Sequence, residues 1–183
     1  MAGSVEFSIR DDYKKMEKML SDARRQALPK AAQAALNRAA GSAYSASVKA
    51  MARETGMKQK DIRAGVKLRK ARMGNLTAAI EGRGRPLNLI RFAAKQLKKS
   101  VKAKPWGKTR TYRQRVFIAN QGRTVFIRDK ETGKIRGMYG ASIARELVRE
   151  TVSDWVDERF HERWPIEIER ALNNEMRKLG FRT

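Results

Sequence analysis

The stretch PKAAQAALNRAAGSAYSASVKAMARETG, residues 29–56, decides what the rest of the chain can be. Alanine is the strongest helix former, and straight-chain residues follow it closely. Ala32, Leu36, Ala40, Tyr44 (beside Ala43), Val48 and Met51 recur every three to four residues, the spacing of one buried helical face. Pro29 fits the first turn, where its missing N–H costs little. Gly56 is a natural stop. The pattern predicts a helix over 30–54. Its face is mostly Ala and Ser with Gly41 inside, so another backbone can come close. That backbone belongs either to the chain's own sheet or to a neighbouring subunit.

Upstream, Val5, Phe7 and Ile9 alternate with polar residues and read as a short strand. Asp11 and Asp12 then cap a helix running to about Leu28, with Met16, Met19, Leu20 and Ala23 on its apolar side. Downstream, MKQKDIRAGV (57–66) reads as one short helix. VKLRKAR (66–72) and NLTAAIEGR (75–83) alternate like strands, and GRGRP (82–86) is a turn or linker. LNLIRFAAKQL (87–97) fits strand and helix equally. RVFIAN and RTVFIRD are two strands joined at Gln121-Gly122. DKETGKIRGMY carries the next turn, with Gly133 at a positive φ. Val152, Trp155, Val156 and Phe160 then mark a helical face. Pro165 interrupts it, and Ile168, Leu172, Met176 and Leu179 form another, stopped by Gly180.

The expected fold is α+β. A long Ala-rich helix packs on an antiparallel sheet built largely from 66–82 and 115–139, with a C-terminal helical segment. One domain spans 1–183, and residues 95–115 form a basic arm or hairpin within it. Apolar residues make up 41% of the chain and aromatics 7%, which allows a core but a thin, Ala-rich one.

Charge narrows the function. Lys and Arg number 42 against 19 Asp and Glu, a net +23. Self-repulsion at that level calls for an anionic partner. DNA, RNA or an acidic protein surface fits, a membrane less well. The charge is uneven: between Lys58 and Arg115 only Asp61 and Glu81 are acidic, whereas 141–170 is mildly acidic. Identical subunits could match these regions head to tail. There is no Cys, hence no disulfide or thiolate chemistry. No apolar run approaches the ~20 residues of a spanning helix, and MAGSVEFSIRDDY lacks the pattern of a signal peptide. A soluble protein made inside the cell is the expectation.

The densest basic tract, KQLKKSVKAKPWGKTRTYRQR (95–115), has no acid in it. Lys95, Lys98, Lys99, Lys102, Lys104, Lys108, Arg110 and Arg113 are expected to face DNA or an acidic neighbour, because burying unpaired cations is prohibitive. Pro105-Trp106-Gly107 reads as a turn tip between extended arms. Trp106 and Tyr112 either stack on bases, as in single-strand binders, or anchor the segment to the core. Contact with nucleic acid would be to phosphates rather than base edges.

Catalytic patterns are weak. ETGKI (131–135) has part of a phosphate-binding loop, but Arg128 and Ile135 stand where that loop needs Gly and Ser or Thr. His161 is the single histidine, without the other ligands of a zinc site. Asp154, Asp157, Glu158 and Glu162 share helical faces as Mg²⁺ ligands would, but Arg159 and Arg163 alternate with them, as in ordinary helix ion pairing. No catalytic, metal or cofactor-binding residue is assigned, and no cofactor is expected.

The order of features nevertheless resembles a known family. The Ala-rich segment with its ALNRAA core, the ARETGM helix end, the KQKDIR helix and the later MYGASIA are similar to the minor tail protein Z family of long-tailed bacteriophages, over about residues 30–180. Ala141 stands where that family's turn often carries Pro. The resemblance implies a structural, non-enzymatic virion protein in tail completion and head–tail joining, in the neck or head-proximal tail. Its implied partners are a homo-oligomer, most simply a hexameric ring around the DNA channel, and the tail terminator, tail-tube and head–tail connector proteins. Leu36, Ala40, Ala43, Tyr44, Trp155 and Phe160 are the candidate interface residues. The alternative is a free, non-sequence-specific nucleic-acid-binding protein of ribosomal or nucleoid type.

Overall fold

A computed structural model describes residues 10–180. The strand expected at Val5–Ile9 lies outside them. The chain is α+β: two long helices packed side by side, with three small antiparallel sheets against one end of the pair.

Helix α1 (Arg10–Asp22) runs through a wide turn at Ala23–Ala27 directly into α2 (Leu28–Thr55). The expected break at Leu28–Pro29 is absent. The Leu28 N–H donates to the Ala23 carbonyl five residues back, a π-type bond. A proline inside a helix crowds the carbonyl four residues before it. Widening the preceding turn relieves that crowding without ending the helix. The result is one rod of about 70 Å, at ~1.5 Å per residue.

The main partner of α2 is the C-terminal helix α5 (Glu150–Lys178), and α2 meets the first sheet only at its margin. The pair is antiparallel. Ala31 and Ala35 meet Ala171 at one end, while Val48 and Met51 share a core with Val152 at the other. The expected Ala40, Ala43, Val48 and Met51 are buried, but in the first turns the buried line runs through Ala31, Ala35 and Ala39 in place of Ala32 and Leu36. With Ala at most positions, periodicity alone cannot fix the phase. The side that comes closest to Ala171 wins. Pro165 does not interrupt α5 either. It stands on an exposed side of the helix, as does His161, whose carbonyl loses its helical donor where water can replace it.

Buried carboxylates pin this pair. Glu167 is 3% exposed and faces Arg163, Arg38 at 3.7 Å and Arg170 at 3.5 Å. Arg38 and Asn37 belong to the ALNRAA segment. The Asn37 side chain accepts from the Ala71 N–H at 2.7 Å and donates to its carbonyl at 3.1 Å. Asn37 therefore ties the connection between the first two strands, 66–69 and 79–82, to α2.

Gly56 ends α2 at φ 73°, and α3 (Gln59–Gly65) follows as expected. Strands β1 (Val66–Arg69) and β2 (Ala79–Gly82) form a hairpin with Leu68 opposite Ile80. The ambiguous segment 87–97 resolves into a 3₁₀ turn, Leu89–Phe92, capped by Asn88, followed by a short strand at Lys95–Leu97. Three strands then come from the basic tract: β3 (Lys95–Leu97), β4 (Ser100–Ala103) and β5 (Arg110–Arg113). The last sheet holds β6 (Val116–Ala119), β7 (Thr124–Arg128) and β8 (Ile135–Gly137). Its turns are the expected ones, with Gly122 at φ 77° and Gly133 at φ 63°. Asn88 pins β7 from the side: it accepts from the Val125 N–H at 2.8 Å and donates to the Val125 carbonyl at 3.0 Å. The short helix α4 (Ile143–Leu147) leads into α5. In MYGASIA, a Cβ on Gly140 would lie 2.8 Å from the Phe92 ring, so only glycine lets this segment pass.

Candidate functional site

The basic tract is an ordered three-stranded meander. Val101 and Ala103 of β4 are fully buried in the main core, and alternation places Lys102 on the other side. Register then distributes the cations. Lys95 stands opposite Lys102, and Arg113 opposite Ser100, all on the outer face. Lys98 and Lys99 form the β3–β4 turn. Lys104, Lys108 and Arg110 flank the 3₁₀ turn Pro105–Gly107 at the other end of β4. All eight of these cations are exposed. Like charges directly across strands oppose pairing, so the sheet carries the Lys95–Lys102 pair in spite of its effect on stability.

Both aromatics of the tract serve the fold. Tyr112 lies opposite Val101 on the inner face and packs against the core. Burial lifts its hydroxyl above the usual tyrosine range, against the opposing pull of the Arg110 charge. Trp106 is half-buried and donates its Nε1–H to the buried Glu146 at 3.2 Å. Glu146 also accepts from Arg149 at 3.1 Å. The Lys104 N–H donates to the Phe92 carbonyl at 2.8 Å. A Cβ on Gly56 would sit 2.9 Å from the Lys104 carbonyl oxygen. The end of α2 is thus closed against the Trp106 turn, and the meander is tied to the core beneath its charges.

A second cationic surface is built from other segments. Lys58, Lys60, Arg91 and Arg123 line a cleft of about 610 Å³ between α3, the Leu89–Phe92 turn and the β6–β7 turn. Asp61 pairs with Arg91 at 3.0 Å. Arg91 and Arg123 lie far apart in sequence and stand singly, so no local run marks them.

Four of the six candidate interface residues come together in another place. Leu36, Ala40 and Ala43 of α2 and Phe160 of α5 line an apolar groove of about 490 Å³, completed by Ala78–Ile80, Leu147, Val148 and Val156. Asp157 is the charged residue at its edge. Val148 is 76% exposed. Tyr44 packs into the main core instead. Trp155 lies on a different side of α5, with the Arg53 guanidinium 5.8 Å over its ring.

The chemistry candidates resolve into structural contacts. In the ETGKI turn, Asp129 accepts from the N–H groups of Glu131 and Thr132, both at 3.0 Å, and from the Thr132 hydroxyl. These bonds, the Thr132 N–H first, hold its carboxyl below the usual range. Glu162 pairs with Arg159, and the His161 Nδ1 lies 2.8 Å from the Asp157 carbonyl oxygen. Among the described residues no three of His, Cys, Asp or Glu are placed to share a metal ion, and no helix is long and apolar enough to cross a membrane.

The described residues thus carry a cationic sheet and, on other elements, an apolar groove. The family model for prophage minor tail protein Z (GPZ) matches residues 14–181, and the chain belongs to that family. It is therefore a phage tail component of the virion. No curated protein and no solved structure matched the chain.

Proposed function

We propose that this minor tail protein is a non-enzymatic structural part of tail completion. Copies assemble as a ring, hexameric to match a sixfold tail tube, at the head-proximal end of the tail, where the genome's path meets the neck. Tail-terminator, tail-tube and head–tail connector proteins are its neighbours there. The outer face of the β3–β5 meander turns toward the DNA channel.

One observation carries this reading: a three-stranded sheet with no acid is held against the core while its eight cations stay in solvent. Such a face interacts with phosphates irrespective of sequence, through counterion release. A protein that must let a genome slide past needs that property and no base readout. The Lys58–Arg123 cleft adds a second cationic surface. The fixed positions of Trp106 and Tyr112 disfavour single-strand stacking, because both rings are engaged within the fold.

The test is a density map of the neck in intact particles. The expected result is a closed ring of this chain near the head end of the tail, with Lys95, Lys102 and Arg113 facing the lumen. Finding the chain free in infected cells, bound to nucleic acid and absent from particles, would instead favour a free nucleic-acid-binding protein.

A further inference from the structure

Among the described residues two apolar surfaces are left uncovered, and they are complementary. The first is α1. The C-terminal helix ends at Lys178, where Glu175, Lys178 and Leu179 meet Asp22, Gln26, Ala27 and Lys30. Helix α1 continues beyond that point without α5 beside it. Met16 and Leu20 are 54% and 57% exposed on its apolar side, with Met19 between them. The continuous helix holds α1 in place, so these side chains are presented to solvent at a fixed spacing. The second surface is the groove between α2, β2 and α5, floored by Ala40 and Ala43 and walled by Leu36, Val148, Val156 and Phe160.

An arm cannot fill the groove of its own chain. α1 and α2 are one continuous helix, and Leu36 lies about 24 Å beyond Leu20 along the same axis, at ~1.5 Å per residue. Folding back would require breaking the helix at the wide turn, where Ala23 and Ala27 are already buried. Resting on the assembly reading above, we propose that the Met16–Leu20 side of one copy seats in the groove of the next copy. The small residues of the floor let a helix approach closely, and methionine adapts to an irregular apolar seat. Arm and groove are different patches, so the contact is head-to-tail, the kind that closes into a ring when its rotation permits.

The absence of native cysteine allows a clean test on the full chain. Leu20→Cys and Val148→Cys, prepared separately and mixed under mild oxidation, should give a disulfide dimer well above the level from either alone. Met16→Glu with Leu20→Glu should weaken self-association by at least about tenfold in sedimentation, since both side chains would leave an apolar seat. Both are exposed within one copy, so the melting of dilute protein should not change. If the native chain associates but the mixture cross-links no better than its components, the arm–groove pairing is wrong and the ring reading survives. If the native chain stays monomeric at every concentration, both fall.

Discussion

The helix pair α2–α5 and the β3–β5 meander sit on the same core but treat charge in opposite ways. In the helix pair, cations are spent locally. Arg38, Arg163 and Arg170 surround Glu167, and Arg159 pairs with Glu162 while its Nε–H donates to Ser42 at 3.0 Å. In the meander there is no acid to pair with. Among the described residues its carboxylate contact, through Trp106, comes from α4. Cations held near acids in one region and kept free in the next mark the second as the region that awaits an outside anion. The meander's stability therefore has to come from Val101, Ala103, Pro105 and the backbone ties to α2, and its charges are available for contact.

The comparison can be broken at several points. The largest effect is expected at Phe92, which is fully buried and whose carbonyl anchors Lys104. Phe92→Ala should cost about 3–5 kcal/mol by denaturant unfolding, and the meander should lose hydrogen-exchange protection with the rest of the core. Ala35→Leu tests the helix pair alone. It overfills a fully buried contact and should cost about 1–3 kcal/mol, while DNA affinity measured below the new melting temperature stays as before. Trp106→Phe keeps the ring but removes the bond to Glu146, and should cost about 1–2 kcal/mol because a buried carboxylate loses a donor. The β4–β5 turn should then open first in hydrogen exchange.

Lys102→Thr sharpens the contrast. It removes one of two like charges directly opposed across β3 and β4, so stability should stay within about 0.5 kcal/mol or rise slightly, while DNA binding falls. The smallest effect concerns pH. The carboxyl of Asp129 titrates below its unfolded value, so its contribution to the β7–β8 turn is complete above the ordinary Asp range and disappears as pH falls through the lowered value. Amides of residues 131 and 132 should lose protection on acidification, and in Asp129→Asn that pH dependence should be absent.

Much of this was legible in the sequence, for identifiable reasons. The β6–β8 meander was readable because Gly122 and Gly133 stand where a positive φ is needed between alternating apolar runs. The long helix was readable from its composition, and its buried face from Ala40 to Met51, but not the phase of its first turns, where alanine on nearly every side leaves periodicity little to act on. Pro29 and Pro165 read locally as breaks. The wide turn before Pro29 and the exposed position of Pro165 let both helices continue, and neither circumstance is visible locally. Of the arm and hairpin readings of the basic tract the hairpin holds, with its turn at Pro105–Gly107, but the tract's charges mask the buried Val101 and Ala103 that seat it on the core and the third strand beside it. Leu36, Ala40, Ala43 and Phe160 converge on one groove because helical spacing places them correctly along α2 and α5. Tyr44 and Trp155 depart because a shift of one position turns a side chain by about 100°. The Lys58–Arg123 cleft joins residues from three separate segments, which only the folded chain brings together.

The central claim, that the meander's cations serve contact and not stability, is tested most directly by titrating unrelated duplexes at several salt concentrations. The native chain is compared with a variant carrying Lys→Gln at Lys95, Lys98, Lys99 and Lys102. The account predicts sequence-independent binding whose log K falls linearly with log salt, with a slope shallower by up to roughly 3–4 in the variant, and thermal unfolding that is the same for both proteins. Salt-insensitive binding, strong preference for one sequence, absence of binding at low salt, or an unfolded variant would contradict it.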